Sequence, residues 1–203
     1  MTLEPWRLLA RTIAHALGRR PDVSRWEHAS SFEAEWDERS RIIAGLVPAG
    51  SRVIEFGAGR QQLARDLDPT CMYLASDVIR RDASTLVADL NARPLPDLSA
   101  LRPDVAVFAG VLEYLVRLAP ITRWLARHVA TCIASYECAR TPPWSPARLG
   151  ERLQRARLGW VSTYTEAELL ALFRAAGFAC EEKTVWHTPT GDEPIFVFRR
   201  RPG

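Results

Sequence analysis

The strongest chemical signal in the chain is a short apolar run that ends in two closely spaced glycines. The run Val53-Ile-Glu-Phe leads into Gly57-Ala-Gly59 and then into a helical pattern. Glycine at a strand end lets the backbone turn tightly and approach a ligand more closely than a residue with a Cβ allows. We therefore predict a ligand-binding loop at residues 57–59, where a side chain would exclude the ligand while the fold survives with a modest loss.

Two acidic residues follow the next two strand-like runs. Asp77 lies 18 residues beyond Gly59, and Asp89 lies 12 residues beyond Asp77. A carboxylate at about the first of these spacings accepts hydrogen bonds from ribose hydroxyls in nucleotide-binding folds. A dinucleotide site also needs a third glycine at position 62, where this chain has Gln62. The pattern therefore favours a nucleoside-containing ligand and disfavours a nicotinamide-dependent oxidoreductase.

Three side chains are candidates for moving a proton at the same edge of the predicted sheet. Glu113 and Tyr114 follow the fourth strand-like run, and His187 follows the sixth. Histidine exchanges protons near neutral pH, so His187 is the residue type best suited to act as a base. A turn histidine that faces solvent is the alternative, since turn residues are commonly exposed. One glutamate supplies too few oxygen ligands for a hard cation, and the four cysteines lack close pairing, so no metal site is predicted.

The composition excludes several classes of protein. The 203 residues carry a net charge of +3, and 47% of them are hydrophobic, as in an ordinary globular protein. This charge is too small to predict a nucleic-acid surface. No apolar stretch approaches the ~20 residues that a membrane span needs, and the first residues do not resemble a secretory signal, so we expect a cytoplasmic protein. Lys183 is the only lysine, and this arginine bias is typical of a bacterial genome rich in G and C.

Seven strand-like runs, several of them separated by helical patterns, organise the chain from residue 51 onward. They span residues 52–56, 72–76, 85–88, 104–109, 128–136, 179–186 and 195–200. This arrangement, closed by a strand pair, predicts an α/β fold with a Rossmann-like, doubly wound sheet of about seven strands whose last strand is antiparallel. The connection between the second and third runs is too short for a crossover helix.

We expect one domain over residues 1–203, built from four parts. Residues 1–50 form two helices, at about 6–18 and 31–46, and the second carries Phe32 and Trp36 and closes over the site. Residues 51–137 form the ligand-binding core, and residues 138–164 form an insert whose Trp144 and Trp160 act as a lid. Residues 165–203 form a helix and the strand pair. Aromatic walls without a basic cluster favour a small organic substrate over nucleic acid.

These motifs resemble the class I S-adenosylmethionine-dependent methyltransferases over nearly the whole chain. The segment Glu55-x-Gly57-x-Gly59 is similar to the first motif of that family, and Gly110-Val-Leu-Glu-Tyr-Leu115 is similar to the stretch after its fourth strand. The family has a seven-stranded sheet with an antiparallel seventh strand, which agrees with the strand pair that ends this chain. The resemblance implies a cofactor site that contains Glu55, Gly57, Gly59, Asp77, Asp89, Leu90 and Gly110.

The resemblance also implies a cofactor and a reaction. The cofactor would be S-adenosylmethionine, with its ribose on Asp77 and its adenine on Asp89 and Leu90. The reaction would be methyl transfer to a small organic acceptor, with neither nucleic acid nor membrane as a partner. A non-catalytic protein that binds S-adenosylmethionine and a nicotinamide-dependent oxidoreductase are the alternatives.

Overall fold

The computed structural model of the protein describes residues 35–189 and 191–201. Its helices are α1 (Trp36–Gly45), α2 (Gln62–Asp66), α3 (Leu118–His128), α4 (Ala147–Arg157) and α5 (Glu166–Ala175), with a 3₁₀ turn at Leu112–Tyr114. Its strands are β1 (Arg52–Phe56), β2 (Met72–Asp77), β3 (Leu86–Val87), β4 (Val105–Phe108), β5 (Thr131–Ser135), β6 (Phe178–Thr188) and β7 (Gly191–Arg200). The first predicted helix and Phe32 lie outside the described residues.

The strands form one sheet in the order β3-β2-β1-β4-β5-β7-β6. Strands β1 to β5 pair in parallel, whereas β7 pairs antiparallel with both β5 and β6. The predicted Rossmann-like α/β sheet with an antiparallel last strand is therefore confirmed. Since β6 runs parallel to the first five strands, the β6–β7 hairpin lies at the edge of the sheet where those strands end.

Alternate residues of the central strands face two separate cores. Ile54 and Phe108 pack in a cluster with α3 and α5, whereas Val53 and Val107 pack in a cluster with α1 and α2. Strands buried on both faces explain the continuous apolar runs that the sequence shows at β1, β4 and β5. Helices therefore cover both faces of the sheet, as predicted.

Three predicted strand boundaries are wrong. Helix α3 continues to residue 128, so β5 begins at Thr131. The final hairpin is longer than predicted, because β6 continues to Thr188 and β7 begins at Gly191, with cross-strand pairs that include His187. An apolar run marks only the buried part of such a hairpin, whereas backbone pairing also holds its exposed end.

The remaining connections agree with the sequence. Between β2 and β3 the described chain contains no helix, and β3 is only 2 residues long. The insert at residues 138–164 contains helix α4. Neither described range contains a helix that is both long and apolar enough to cross a membrane.

Candidate active site

A cavity of about 250 Å³ lies at the edge of the sheet where β1, β2 and β4 end. Its wall includes all the residues of the predicted cofactor site: Glu55, Gly57, Gly59, Asp77, Asp89, Leu90 and Gly110. Glu113 and Tyr114 line the same cavity, while His187 is not among the described residues of its wall. Parallel strands deliver the residues that follow them to one edge, which is why these distant segments meet.

Gly57 is required by the fold itself. Its backbone φ is +68°, in the left-handed region that favours glycine. A Cβ built on Gly57 would lie 2.5 Å from Cγ2 of Val111, which follows β4. The expectation that a side chain at residue 57 leaves the fold with only a modest loss is therefore wrong, because the tight turn packs directly against Val111.

Asp77 is held at the end of β2 by three donors. The Gly59 N–H donates to Asp77 Oδ2 at 2.9 Å, the Ile79 N–H donates to Oδ1 at 3.0 Å, and the Arg81 Nε–H donates to Oδ2 at 3.4 Å. A carboxylate has about four lone-pair sites, so Asp77 keeps acceptor capacity for a ligand. The Arg81 bond is the longest of the three and the one that a ligand hydroxyl would displace most easily.

Glu55 is a buried acid at the end of β1. It is 3% exposed and accepts a hydrogen bond from the Tyr73 hydroxyl. Burial raises the pKa of Glu55 to about 8, because desolvation outweighs both the Tyr73 hydrogen bond and the nearby charge of Arg39. Glu55 therefore carries a proton at neutral pH and can donate a hydrogen bond as well as accept one.

The loop after β3 is tied to the turn after β4. Asp89 is exposed and accepts a hydrogen bond from the Asn91 N–H at 2.8 Å, while Leu90 is buried. The Asn91 side chain donates to the Tyr114 carbonyl at 3.0 Å and accepts from the Val116 N–H at 2.8 Å. These bonds fix the loop that carries Asp89 and Leu90 relative to Tyr114.

Glu113 is buried where the turn after β4, the end of β5 and the insert meet. Its Oε1 accepts from the Glu137 N–H at 2.8 Å, and its carbonyl accepts from the N–H groups of Val161 and Ser162. Its Oε2 is buried and has no hydrogen-bond partner among the described residues. Burial, followed by the charge of Glu193, raises the pKa of Glu113 to about 7. Glu113 can therefore exchange a proton near neutral pH.

The insert contributes to the cavity wall through Trp160. The Trp160 Nε1–H donates to the Tyr114 hydroxyl at 3.2 Å, and both residues line the cavity. Trp144, the other tryptophan of the insert, is 84% exposed and lies outside the described wall. Of the two insert tryptophans expected to close over the site, the structure brings only Trp160 to it.

Known proteins match this chain in structure but not in sequence. No protein-family model matches it, and no curated protein matches its sequence. The 1,6-didemethyltoxoflavin N1-methyltransferase of Burkholderia thailandensis, solved with S-adenosylhomocysteine, matches with a TM-score of 0.61 at 17% identity, over 100% of this chain and 92% of that chain. The magnesium protoporphyrin IX methyltransferase of Synechocystis PCC 6803, also solved with S-adenosylhomocysteine, matches with a TM-score of 0.60 at 13% identity, over 96% and 100% of the two chains. A mitomycin 7-O-methyltransferase matches with a TM-score of 0.63 at 14% identity, over 97% and 68%.

This chain has the fold of the S-adenosylmethionine-dependent methyltransferases. The resemblance carried by residues 55–59 and 110–115 is thereby confirmed at the level of the fold. The three matched structures are all methyltransferases and give no support to a nicotinamide-dependent oxidoreductase.

In this methyltransferase fold, His187 is held away from the cavity. It lies within β6 opposite Asp192 of β7, and its Nδ1 is 2.9 Å from Oδ1 of Asp192. Its side chain is 78% exposed. The prediction that His187 follows the sixth strand is wrong, because the pairing of β6 with β7 extends past it. The imidazole lies on the solvent-exposed part of the hairpin.

Sequence reasoning missed two charged residues of the cavity. Arg39 of α1 and Glu193 of β7 both line the cavity, and an Arg39 Nη1–H donates to Glu193 Oε1 at 3.1 Å. The Arg39 guanidinium lies 5.7 Å from the ring centroid of Trp36 and 5.2 Å from that of Trp186, and its Nη2–H donates to the Ala109 carbonyl at 3.2 Å. Arg39 is therefore held on several sides in the cavity wall.

Gly110 leaves room in the structure for Arg39. A Cβ on Gly110 would lie 2.5 Å from Nη1 of Arg39, so the absent side chain leaves the space that the guanidinium fills. Glu193 falls in the turn-rich segment 187–194, which the predicted topology brings to this edge. Nothing in the segment itself distinguishes Glu193 from Asp192 as the residue that enters the cavity.

Proposed function

We propose that this protein binds S-adenosylmethionine and transfers its methyl group to a small organic acceptor. The observation that carries the proposal is that every residue predicted for the cofactor site lines one cavity in a sheet of the methyltransferase strand order. In an open α/β sheet, ligands bind beyond the carboxyl ends of the parallel strands, which is where this cavity lies.

The charge of the cavity supports a cationic cofactor. S-adenosylmethionine carries a sulfonium, an ammonium and a carboxylate, so it is a cation overall. The described wall contains three arginines, Arg39, Arg60 and Arg81, and six acids, Asp37, Glu55, Asp77, Asp89, Glu113 and Glu193, of which Glu55 is protonated at neutral pH. The chain as a whole has a net charge of +3, so the excess of acids over arginines is specific to the cavity wall. A cleft lined by an excess of one charge concentrates ligands of the opposite sign.

Different segments of the wall would contact different parts of the cofactor. Asp77 would accept hydrogen bonds from the ribose hydroxyls, and the loop with Asp89 and Leu90 would hold the adenine. The glycine loop at residues 57–59, next to protonated Glu55, would lie along the methionine part. Gly110, at the end of β4, would lie on the side from which the acceptor approaches.

The residues of this chain would act mainly by alignment. Bound S-adenosylmethionine supplies a methyl group on a sulfonium, which is already a good leaving group. Alignment of two reacting groups contributes roughly 7–11 kcal/mol in well-oriented reactions. Glu113 is placed to take a proton from the acceptor, since its Oε2 has no partner among the described residues and its pKa is about 7. Tyr114 and Trp160 would exclude water, while the exposure of His187 argues against a role there.

We also propose that residues 1–203 act as one methyltransferase-like domain in the bacterial cytoplasm. The bonds of Glu113 to the insert support a single unit, because they join residues 138–164 to the core at 51–137. All four cysteines are free thiols, which suits a reducing compartment.

Methyl transfer can be tested with S-adenosylmethionine labelled in its methyl group and a bacterial metabolite extract. We expect the label to move to a component of the extract while S-adenosylhomocysteine accumulates. Binding of S-adenosylmethionine without any transfer would support the non-catalytic alternative. Failure to bind S-adenosylmethionine would overturn the proposal.

A further inference from the structure

The cavity has two ends along the edge of the sheet. Its cofactor end is formed by residues 55–59, 77–81 and 88–90, which follow β1, β2 and β3. Its acceptor end is formed by Trp36, Arg39, Glu113, Tyr114, Trp160 and Glu193. The strand order places the carboxyl ends of β3, β2 and β1 on one side of β4, and β5 and β7 on the other.

Each arginine of the described wall is already paired with an acid of the same wall. The pairs are Arg39 with Glu193 at 3.1 Å, Arg60 with Asp37 at 2.7 Å and Arg81 with Asp77 at 3.4 Å. Among the described residues, the acids of the wall that form no salt bridge are Glu55, Asp89 and Glu113. Glu55 is protonated at neutral pH, and Asp89 lies exposed at the cofactor end. Glu113 is therefore the acid of the acceptor end that forms no salt bridge among the described residues.

The groups that face Glu113 do not satisfy its second oxygen. Arg155 of α4 acts on Glu113 through its charge, but its Nε–H donates to the Ser162 carbonyl at 3.2 Å and its Nη2–H to the Tyr136 hydroxyl at 3.3 Å. Glu193 adds a like charge from β7. A buried acceptor without a donor is unfavourable, and more so if it is charged, so a ligand that supplies a charged N–H there removes that penalty.

Aromatic rings give the acceptor end flat apolar walls. Trp36 and Trp160 line the cavity, and each ring already has an arginine near it, Arg39 at 5.7 Å and Arg155 at 4.7 Å from the centroids. Such rings attract cations and stack on planar groups. The acceptor end therefore combines flat apolar walls with one unpaired carboxylate.

Resting on the proposed function, we propose that the methyl acceptor is a planar molecule with a basic nitrogen, which pairs with Glu113 and is itself methylated. An acceptor with a carboxylate or phosphate would meet Glu113 and Glu193 while every arginine of the described wall is already paired. The methyl donor is itself a cation, so a second cation requires a cavity in which acids outnumber bases, as they do here.

The reaction balances with Glu113 as the proton acceptor. The protonated nitrogen gives its proton to Glu113 Oε2 and regains a lone pair. That lone pair forms the N–C bond to the methyl carbon as the S–C bond breaks, and the electron pair of the broken bond stays on sulfur. The methylated nitrogen leaves with the positive charge, and S-adenosylhomocysteine leaves without the sulfonium charge.

Three probes with the same ring and chain length test the charge of the acceptor. Tryptamine is a cation, tryptophol is neutral and indole-3-propionate is an anion. Their affinities are measured by calorimetry at pH 8, where Glu113 is ionised, on protein saturated with S-adenosylhomocysteine and on free protein. We expect tryptamine to bind at least roughly tenfold more tightly than indole-3-propionate, with tryptophol between them, as one charge-assisted hydrogen bond predicts.

The Glu113→Gln variant and a pH series assign the preference to Glu113. The glutamine keeps an oxygen for the Glu137 N–H, so Glu113→Gln should bind tryptamine about tenfold less tightly and tryptophol within about twofold of the original. Lowering the pH to 6 protonates Glu113 and should weaken tryptamine more than tryptophol in the Glu55→Gln variant, which lacks the other cavity acid whose pKa is raised into this range. Glu182→Gln, a matched change at an exposed residue of β6 outside the cavity, should alter neither affinity.

Several results would overturn the inference. They are indole-3-propionate binding as tightly as tryptamine, no binding of tryptamine at millimolar concentration, and a preference that survives both Glu113→Gln and low pH. If Glu113→Gln does not fold, the pH series and the order of probe affinities in the unaltered protein still test whether the acceptor end prefers a cation. A protein that binds no S-adenosylhomocysteine contradicts the proposed function instead, and the probes on free protein then still test the charge of the cavity.

Discussion

The cofactor end and the acceptor end of the cavity are assembled from the chain in different ways. The cofactor end comes from three loops after β1, β2 and β3, all within residues 55–90. The acceptor end joins α1, the turn after β4, the insert and β7, and its Arg39–Glu193 pair spans 154 residues. Local spacing therefore reveals the first end, whereas only the folded chain reveals the second.

Gly57→Ala should have the largest effect on stability. It tests whether the turn at the cofactor end is also required for folding. The alanine would combine left-handed backbone strain with a clash against Val111, so we expect a loss of about 4 kcal/mol in the free energy of unfolding. Urea titration measures this loss. Gly50→Ala is the matched control, since Gly50 has φ of +75° but nothing within 4 Å of a built Cβ. Equal losses in the two variants would show that the contact with Val111 is unimportant.

Glu55→Gln should change how stability depends on pH. The pKa of Glu55 is raised from 4.5 to about 8 by burial, so the folded state binds more protons than the unfolded state between these values. The free energy of unfolding must then fall as pH rises through this window, with Glu113 contributing in the same sense. Between pH 5 and pH 8, the unaltered protein should therefore lose about 3 kcal/mol more free energy of unfolding than Glu55→Gln does. Parallel stability curves for the two proteins would contradict a protonated Glu55.

Asp77→Ala should weaken S-adenosylhomocysteine binding without removing it. A charge-assisted hydrogen bond contributes about 1.5–3 kcal/mol, so we expect a 10- to 100-fold loss of affinity by calorimetry. Asp89→Ala is the comparison, and its effect should be smaller because Asp89 is exposed. An effect of Asp77→Ala below twofold would remove it from the ribose site and make Asp89 the better candidate.

Tyr114→Phe should reveal how the insert is attached to the acceptor end. It removes the hydroxyl that accepts from the Trp160 indole, so we expect a loss of about 1 kcal/mol in the free energy of unfolding. Cofactor affinity should stay within about twofold, since Tyr114 belongs to the acceptor end. Trp160→Phe and the double variant complete a cycle, and strictly additive losses would mean that the two side chains are not coupled.

His187→Ala should have the smallest effect. The imidazole is 78% exposed and its partner Asp192 is 67% exposed, so the contact between them contributes little. Neither the unfolding midpoint nor the rate of methyl transfer should change once an acceptor is in hand. A tenfold fall in the maximal rate with unchanged cofactor affinity would instead show that His187 acts as a base, as the sequence alone suggested.

Much of the fold was predictable because it depends on local pattern. The apolar run at β1 and the glycines after it report burial on both faces and a tight turn, which neighbouring residues determine. The hairpin was predicted less well, because backbone pairing carries β6 past the end of its apolar residues and past His187. A turn histidine and a paired strand histidine have the same sequence signature.

The acceptor end was predictable only in part. Glu113 and Tyr114 could be proposed because they directly follow a buried strand, and Trp160 because it lies in the insert. Arg39 and Glu193 could not be found, since an arginine near the start of a helix and an acid in a turn are usually solvated. Their pairing depends on the packing of α1 against the start of β7, which no short segment encodes.

Calorimetric titration of S-adenosylmethionine into the unaltered protein tests the central claim most directly. The claim predicts saturable binding with one site per chain, no heat from NAD under the same conditions, and a 10- to 100-fold weaker titration for Asp77→Ala, the effect of about 1.5–3 kcal/mol. Heat from NAD but not from S-adenosylmethionine, or no heat from either, would contradict the assignment of the cavity.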